Sequence, residues 1–120
     1  MSNHARVTID LSALKHNFQL VRDAAPNSKV IAVIKADAYG HGMLLVANAL
    51  SDADGYAVAR LDEAIVLRKA GIKKPVLVLS GFITVDEVAE FSDYDLDAVV
   101  HSDYQVEMLN AGTTSKPISV

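Results

Sequence analysis

Four short, nearly continuous aliphatic runs, at residues 29–34, 56–59, 76–79 and 98–100, punctuate the chain, and each gap between them has room for one helix. A strand that is apolar at every position is covered on both faces, and such strands are typically parallel. The gaps carry helical patterns at residues 42–50, 61–70, 84–91 and 102–111, with Gly71 and Gly112 as stops. Strands alternating with helices imply right-handed βαβ units, hence an α/β fold built on a parallel sheet. A doubly wound sheet and part of a barrel both satisfy this pattern.

Ahead of the repeat, residues 6–10 alternate, with Val7 and Ile9 set against Arg6, Thr8 and Asp10, which predicts a leading strand within residues 1–10. Leu11, Leu14, Phe18 and Val21 then recur at helical spacing, predicting a first helix over residues 11–25 that Pro26 ends. Thr84 with Glu87, and Ser102 with Gln105, have the spacing of capping boxes at two later helix starts. A further strand begins at Lys116 and runs to Val120 without a following helix, so the chain reads as truncated. No linker or low-complexity segment divides it, and residues 29–120 form one series of strands and helices.

Composition narrows the function. The 120 residues carry 11 basic and 15 acidic side chains, a net charge of -4, which disfavours nucleic acid and anionic membranes as partners. Cysteine is absent, so thiolate chemistry, disulfide frameworks and the usual structural zinc sites are excluded. No apolar run approaches the roughly 20 residues of a membrane-spanning helix, and the start MSNHARVTID lacks a secretory core. A cytoplasmic location is expected. The four histidines, His4, His16, His41 and His101, show no metal-ligand spacing, and no metal is expected. Asp93, Asp95 and Asp97 lack the glycine and distal glutamate of a calcium loop, and Ser80-Gly81 lacks the flanks of a nucleophile elbow.

In parallel α/β folds ligands bind where strands end and helices begin. The first aliphatic run leads into Lys35-Ala36-Asp37-Ala38-Tyr39-Gly40-His41-Gly42. A lysine at a strand end, walled by Val33 and neighbouring strands, loses hydration, which lowers its pKa and favours an amine able to form an imine. Taken alone, such a lysine is more often a solvated side chain with its stem on apolar surface. Its surroundings shift the balance. Tyr39 offers a hydroxyl, although it also suits a packed aromatic, and Gly40 and Gly42 let backbone approach a bulky ligand. His41 suits a structural or surface role better than a chemical one. Leu79, at the end of another strand, is placed either to cover a cofactor ring or to pack in the core.

The run from Ile34 to Gly42 resembles the pyridoxal 5'-phosphate attachment motif of bacterial alanine racemases. The similarity continues through Glu63-Ala64, Leu67-Arg68-Lys69-Ala70-Gly71-Ile72 and Pro75-Val76-Leu77-Val78-Leu79, and ends at Pro117-Ile118-Ser119-Val120. Asp37 is a conservative departure where asparagine is common. The resemblance implies a (β/α)8 TIM barrel of which this chain supplies the first part, about half of the roughly 250 residues of a complete barrel. It further implies a homodimer, alanine as the small-molecule substrate, and supply of D-alanine for peptidoglycan. Lys35 is then the catalytic residue, holding pyridoxal 5'-phosphate as an internal aldimine, and Tyr39 contacts the cofactor phosphate. Val33 and Leu79 are the other expected cofactor neighbours. The family's partner-subunit tyrosine, its pyridine-facing arginine and most of its phosphate ligands fall beyond Val120, so the chain alone is expected to be inactive and to self-associate. A non-catalytic pyridoxal phosphate-binding barrel is the alternative, and the Tyr39-Gly40-His41-Gly42 tail favours the racemase.

Overall fold

The structure is a computed structural model that describes residues 4–120. Four strands, β1 (Ile31–Val33), β2 (Gly55–Val58), β3 (Val76–Val78) and β4 (Asp97–Ala98), pair in parallel in the order β1-β2-β3-β4. The helices are α1 (Leu11–Ala24), the short turn α2 (Lys35–Tyr39), α3 (Met43–Ala49), α4 (Leu61–Lys69), α5 (Val85–Asp93) and α6 (Asp103–Ala111). Sequential order with right-handed crossovers places every connecting helix on one side of the sheet. A doubly wound sheet would reverse its strand order, so this is the opening part of a (β/α)8 barrel.

The register separates the two faces. Ala32, Tyr56 and Val76 align, as do Val58, Val78 and Ala98; all but Ala32 are buried beneath the helices with Leu67, Val88 and Phe91. Val33, Ala57, Leu77 and Asp97 align on the other face, which no helix covers. Ile31 and Val33 there are 48% and 57% exposed. In a closed barrel this face is the interior. β1 also has an open edge, and α1 leans beside it around an apolar groove of about 400 Å³ whose walls include Phe18, Val21, Ile31 and Val33. Its apolar stripe packs partly against the core through Leu14 and Phe18, yet no residue of α1 is buried.

Several expectations need correction. No strand forms at residues 4–10, and residues 1–3 of the expected strand lie outside the described residues. Asp10 instead caps α1, its carboxylate accepting the Ala13 N–H at 3.0 Å, and no neighbouring strand offers Val7 and Ile9 a ladder. Residues 116–120 are not a strand either, although Ser119 O accepts the Ala98 N–H as a first ladder bond. β4 closes at Ala98 instead of continuing to residue 100, with only the Val99 N–H carried on to Val78 O. The Thr84 hydroxyl makes no cap, and Glu87 reaches the Ile83 N–H at 2.6 Å. Ser102 does cap, but the Gln105 side chain turns to the preceding loops, accepting from His101 N–H and donating to Ser80 O and Phe82 O.

The amino-terminal ends of the strands are tied by long cations. Arg68 donates to the carbonyls of Ile72, Lys74, Tyr94 and Asp95, and Lys74 to those of Ser51 and Ala53. Asp54 accepts the Val30 N–H at 2.7 Å, which holds its carboxyl below the ordinary carboxylate value, with Arg22 assisting against desolvation.

Two predictions test the division of faces. Phe91→Ala, at a fully buried position, is expected to cost about 3–5 kcal/mol in urea unfolding, whereas Val33→Ala costs less than about 1 kcal/mol. Equal losses would mean that both faces are packed. Asp97, on the uncovered face, has its carboxyl pushed up by partial burial and then by Asp95, partly offset by Arg68. Its ionisation is therefore easier in the unfolded chain, and it weakens the fold as pH rises. Asp97→Asn is expected to stabilise the protein at pH 7, with the gain vanishing below about pH 4. A gain that grows on acidification would reverse that assignment.

Candidate active site at the carboxyl ends of the strands

Ile31 and Val33 point to the uncovered side and Ile34 is buried on the other, so Lys35 emerges at the rim of the uncovered face. The ladder carries on from β3 to β2, with the Leu79 N–H donating to Val58 O and the Ser80 N–H to Ala59 O, but from β1 only as far as the Ile34 N–H to Ala57 O, after which Lys35 opens α2. Lys35 and Leu79 are both half-buried. Three of the four expected site residues, Val33, Lys35 and Leu79, lie at or just after the carboxyl ends of β1 and β3.

The fourth is brought in by an unusual backbone. After Lys35 the chain makes one left-handed turn, with Ala36, Asp37, Ala38 and Tyr39 at φ of 52°, 55°, 52° and 53°. Left-handed geometry costs an L-residue with a side chain roughly 1–2 kcal/mol, so four in succession must be held by their surroundings. Asp37 supplies much of the hold. Its carbonyl accepts the Gly40 and Gly42 N–H groups, and its carboxylate accepts the Met43 N–H at 2.8 Å, joining the turn to α3. Gly40 and Gly42 follow at φ of 86° and 93°, where glycine alone is unstrained. His41 Nδ1 lies 2.9 Å from Ala38 O, a structural role at an exposed position.

The turn folds Tyr39 back so that its ring centroid is 6.0 Å from Lys35 Nζ, at the outer limit of a cation–π contact. Tyr39 is 74% exposed, so it is not a packed core aromatic. His101, closing another strand, sits 3.3 Å from Ser80 O by its Nε2. Among the described residues no group of histidine and carboxylate side chains could hold a metal ion.

One residue stood out in the sequence only as part of the family resemblance. Glu63, near the start of α4, accepts the Ala59 and Arg60 N–H groups through Oε1, both at 3.0 Å, and the Ala36 N–H through Oε2 at 2.7 Å. Glutamate three residues into a helix start is a legible capping signal. The reach to Ala36, 27 residues away in sequence, is not.

An amine and a nearby phenol suit an aldehyde carrying an anionic group, because the amine can condense with the aldehyde and the phenol can donate to the anion. The amino-terminal domain profile of alanine racemase matches residues 9–120. The chain belongs to the alanine racemase family. It is 51% identical over 117 residues to the alanine racemase of Pseudomonas syringae pv. syringae, covering 97% of this chain and 32% of that protein. The catabolic alanine racemase of Pseudomonas putida is 50% identical over the same shares. Among solved structures, the biosynthetic alanine racemase of Pseudomonas aeruginosa superposes with a TM-score of 0.87 at 40% identity, covering 92% of this chain and 31% of that one. That of Acinetobacter baumannii gives 0.83 at 35%, covering 86% and 31%. The chain spans about a third of the length of the curated racemases it matches.

The strained turn predicts an inverted glycine effect in this racemase-family chain. Ala→Gly in ordinary backbone destabilises, but Ala36→Gly, at an exposed residue with φ of 52°, is expected to leave stability unchanged or raise it by up to about 1 kcal/mol. Denaturant titration measures it, and a loss of the usual size would mean that the turn is not left-handed.

Proposed function

We propose that this chain provides the cofactor-binding lysine of a pyridoxal 5'-phosphate-dependent alanine racemase. The observation that carries the reading is the placement of Lys35 at the end of β1, on the uncovered face and beside the exposed ring of Tyr39. Lys35 would hold the cofactor through its amine, Val33 and Leu79 would flank the ring, and the Tyr39 hydroxyl would donate to the phosphate. When bound, the cofactor supplies an electron sink that lowers the cost of removing the proton from the alpha carbon of an amino acid. The part of this chain's own residues is narrower. Lys35 Nζ would be placed to take or return that proton on one side of the alpha carbon.

Racemisation also calls for a proton-transfer group on the opposite side of the alpha carbon. In this reading that group comes from a second copy of the whole enzyme, which acts on alanine in the cytoplasm as a homodimer and supplies D-alanine for the cell wall. The described residues contain no helix long and apolar enough to cross a membrane.

Borohydride reduction after incubation with pyridoxal 5'-phosphate, followed by peptide mapping, is expected to find the adduct on Lys35. Labelling spread evenly over Lys29, Lys69, Lys73 and Lys74 would reject the site. Circular dichroism of L-alanine incubated with the chain and cofactor is expected to remain constant, because residues acting as a catalytic unit lose most of the rate when separated. Turnover on the order of 1 to 1,000 per second would show that these residues suffice.

A further inference from the structure

We propose that Glu63 is a positioning residue for Lys35, clamping the peptide that follows the lysine to the start of the next βα unit. The inference rests on the reading of Lys35 as the cofactor-binding amine. Each Glu63 oxygen has a different task. Oε1 closes the start of α4 by accepting the Ala59 and Arg60 N–H groups, as a helix-capping carboxylate ordinarily does. Oε2 crosses from β2 to β1 and accepts the Ala36 N–H at 2.7 Å.

That N–H belongs to the Lys35–Ala36 peptide, so the bond fixes the peptide plane through which the Lys35 backbone passes from strand to left-handed turn. The turn's own hydrogen bonds begin later, with the Ala38 N–H donating to Ile34 O and the Gly40 and Gly42 N–H groups to Asp37 O. The Ala36 N–H enters none of them. Without Oε2 the first left-handed residue, Ala36 at φ of 52°, is free to relax toward ordinary backbone. The Lys35 side chain would then swing relative to Val33 and Leu79. A reacting group displaced by about 1 Å can lose on the order of a hundredfold in rate. Glu63 touches neither the lysine amine nor the ring of Tyr39; it acts through the backbone.

Glu63→Gln separates the two tasks, because an amide keeps one oxygen for Ala59 and Arg60 but turns an NH2 toward the Ala36 N–H, setting donor against donor. Amide hydrogen exchange is expected to speed up at Ala36 by about tenfold or more while Ala59 and Arg60 keep their protection. With pyridoxal 5'-phosphate and borohydride as the probe, the adduct at Lys35 is expected to fall about tenfold relative to those at Lys69, Lys73 and Lys74. Faster exchange at Ala36 with unchanged labelling of Lys35 would overturn the positioning role, and so would unchanged exchange. Diffuse labelling in the unsubstituted protein would instead reject the cofactor reading, leaving exchange at Ala36 to judge the clamp. Should Glu63→Gln not fold, the unsubstituted protein decides by NMR. The Ala36 amide is expected to exchange as slowly as those of Ala59 and Arg60, and an Ala36 amide that exchanges at the rate of an open peptide overturns the clamp.

Discussion

The parallel ladder running from Val33 through Ala57 to Leu77 is the constraint on which the rest depends. Parallel pairing with sequential order puts every strand's carboxyl end at one edge and the helices that connect the strands on one face. It therefore creates two unlike surfaces from aliphatic strands that look alike. One is filled by Tyr56, Val58, Val76, Val78 and the helices; the other carries Ile31, Val33, Leu77 and Asp97 without a cover. Lys35 and Leu79 come at the same edge of the sheet because they follow the carboxyl ends of parallel strands β1 and β3.

The two ends of the sheet are then held by different means. At the amino-terminal end, Arg68 and Lys74 spend their donors on loop carbonyls, and Asp54 receives the Val30 N–H. Each of these connections closes backbone groups that would otherwise be left without partners. At the carboxyl end, Glu63 and Gln105 perform the equivalent task for the loops after β1, β2 and β3. Gly81 shows how tightly that end is drawn together, since a Cβ there would lie 2.7 Å from the Gln105 amide nitrogen.

The left-handed turn after Lys35 joins stability to function. A run of four L-residues at positive φ is unfavourable locally and survives because Glu63 and Asp37 hold it from both sides. Its consequence is the return of Tyr39 toward Lys35 over a very short stretch of chain. Strain stored at such a place is consistent with a site whose amine must be presented in one direction.

Much of this was legible without coordinates, because hydrophobic periodicity reports burial and burial follows the fold. The runs at residues 56–59 and 76–79 became β2 and β3 almost unchanged, and the stops at Pro26, Gly71 and Gly112 fell where helices end. The lysine at the end of the first run was legible for the same reason. Residues 6–10 misled because alternation shows a strand's capacity for pairing but not the presence of a partner, and Asp10 found a helix to cap instead. The sequence by itself determined the alternation of strands and helices and put Lys35 at a strand end, since both follow from local periodicity. Only the tertiary structure decided that Tyr39 turns back toward Lys35 and that Glu63 grips the peptide after it. Those contacts depend on a left-handed backbone and on a hydrogen bond between residues 27 positions apart, and neither leaves a periodic trace in the order of residues.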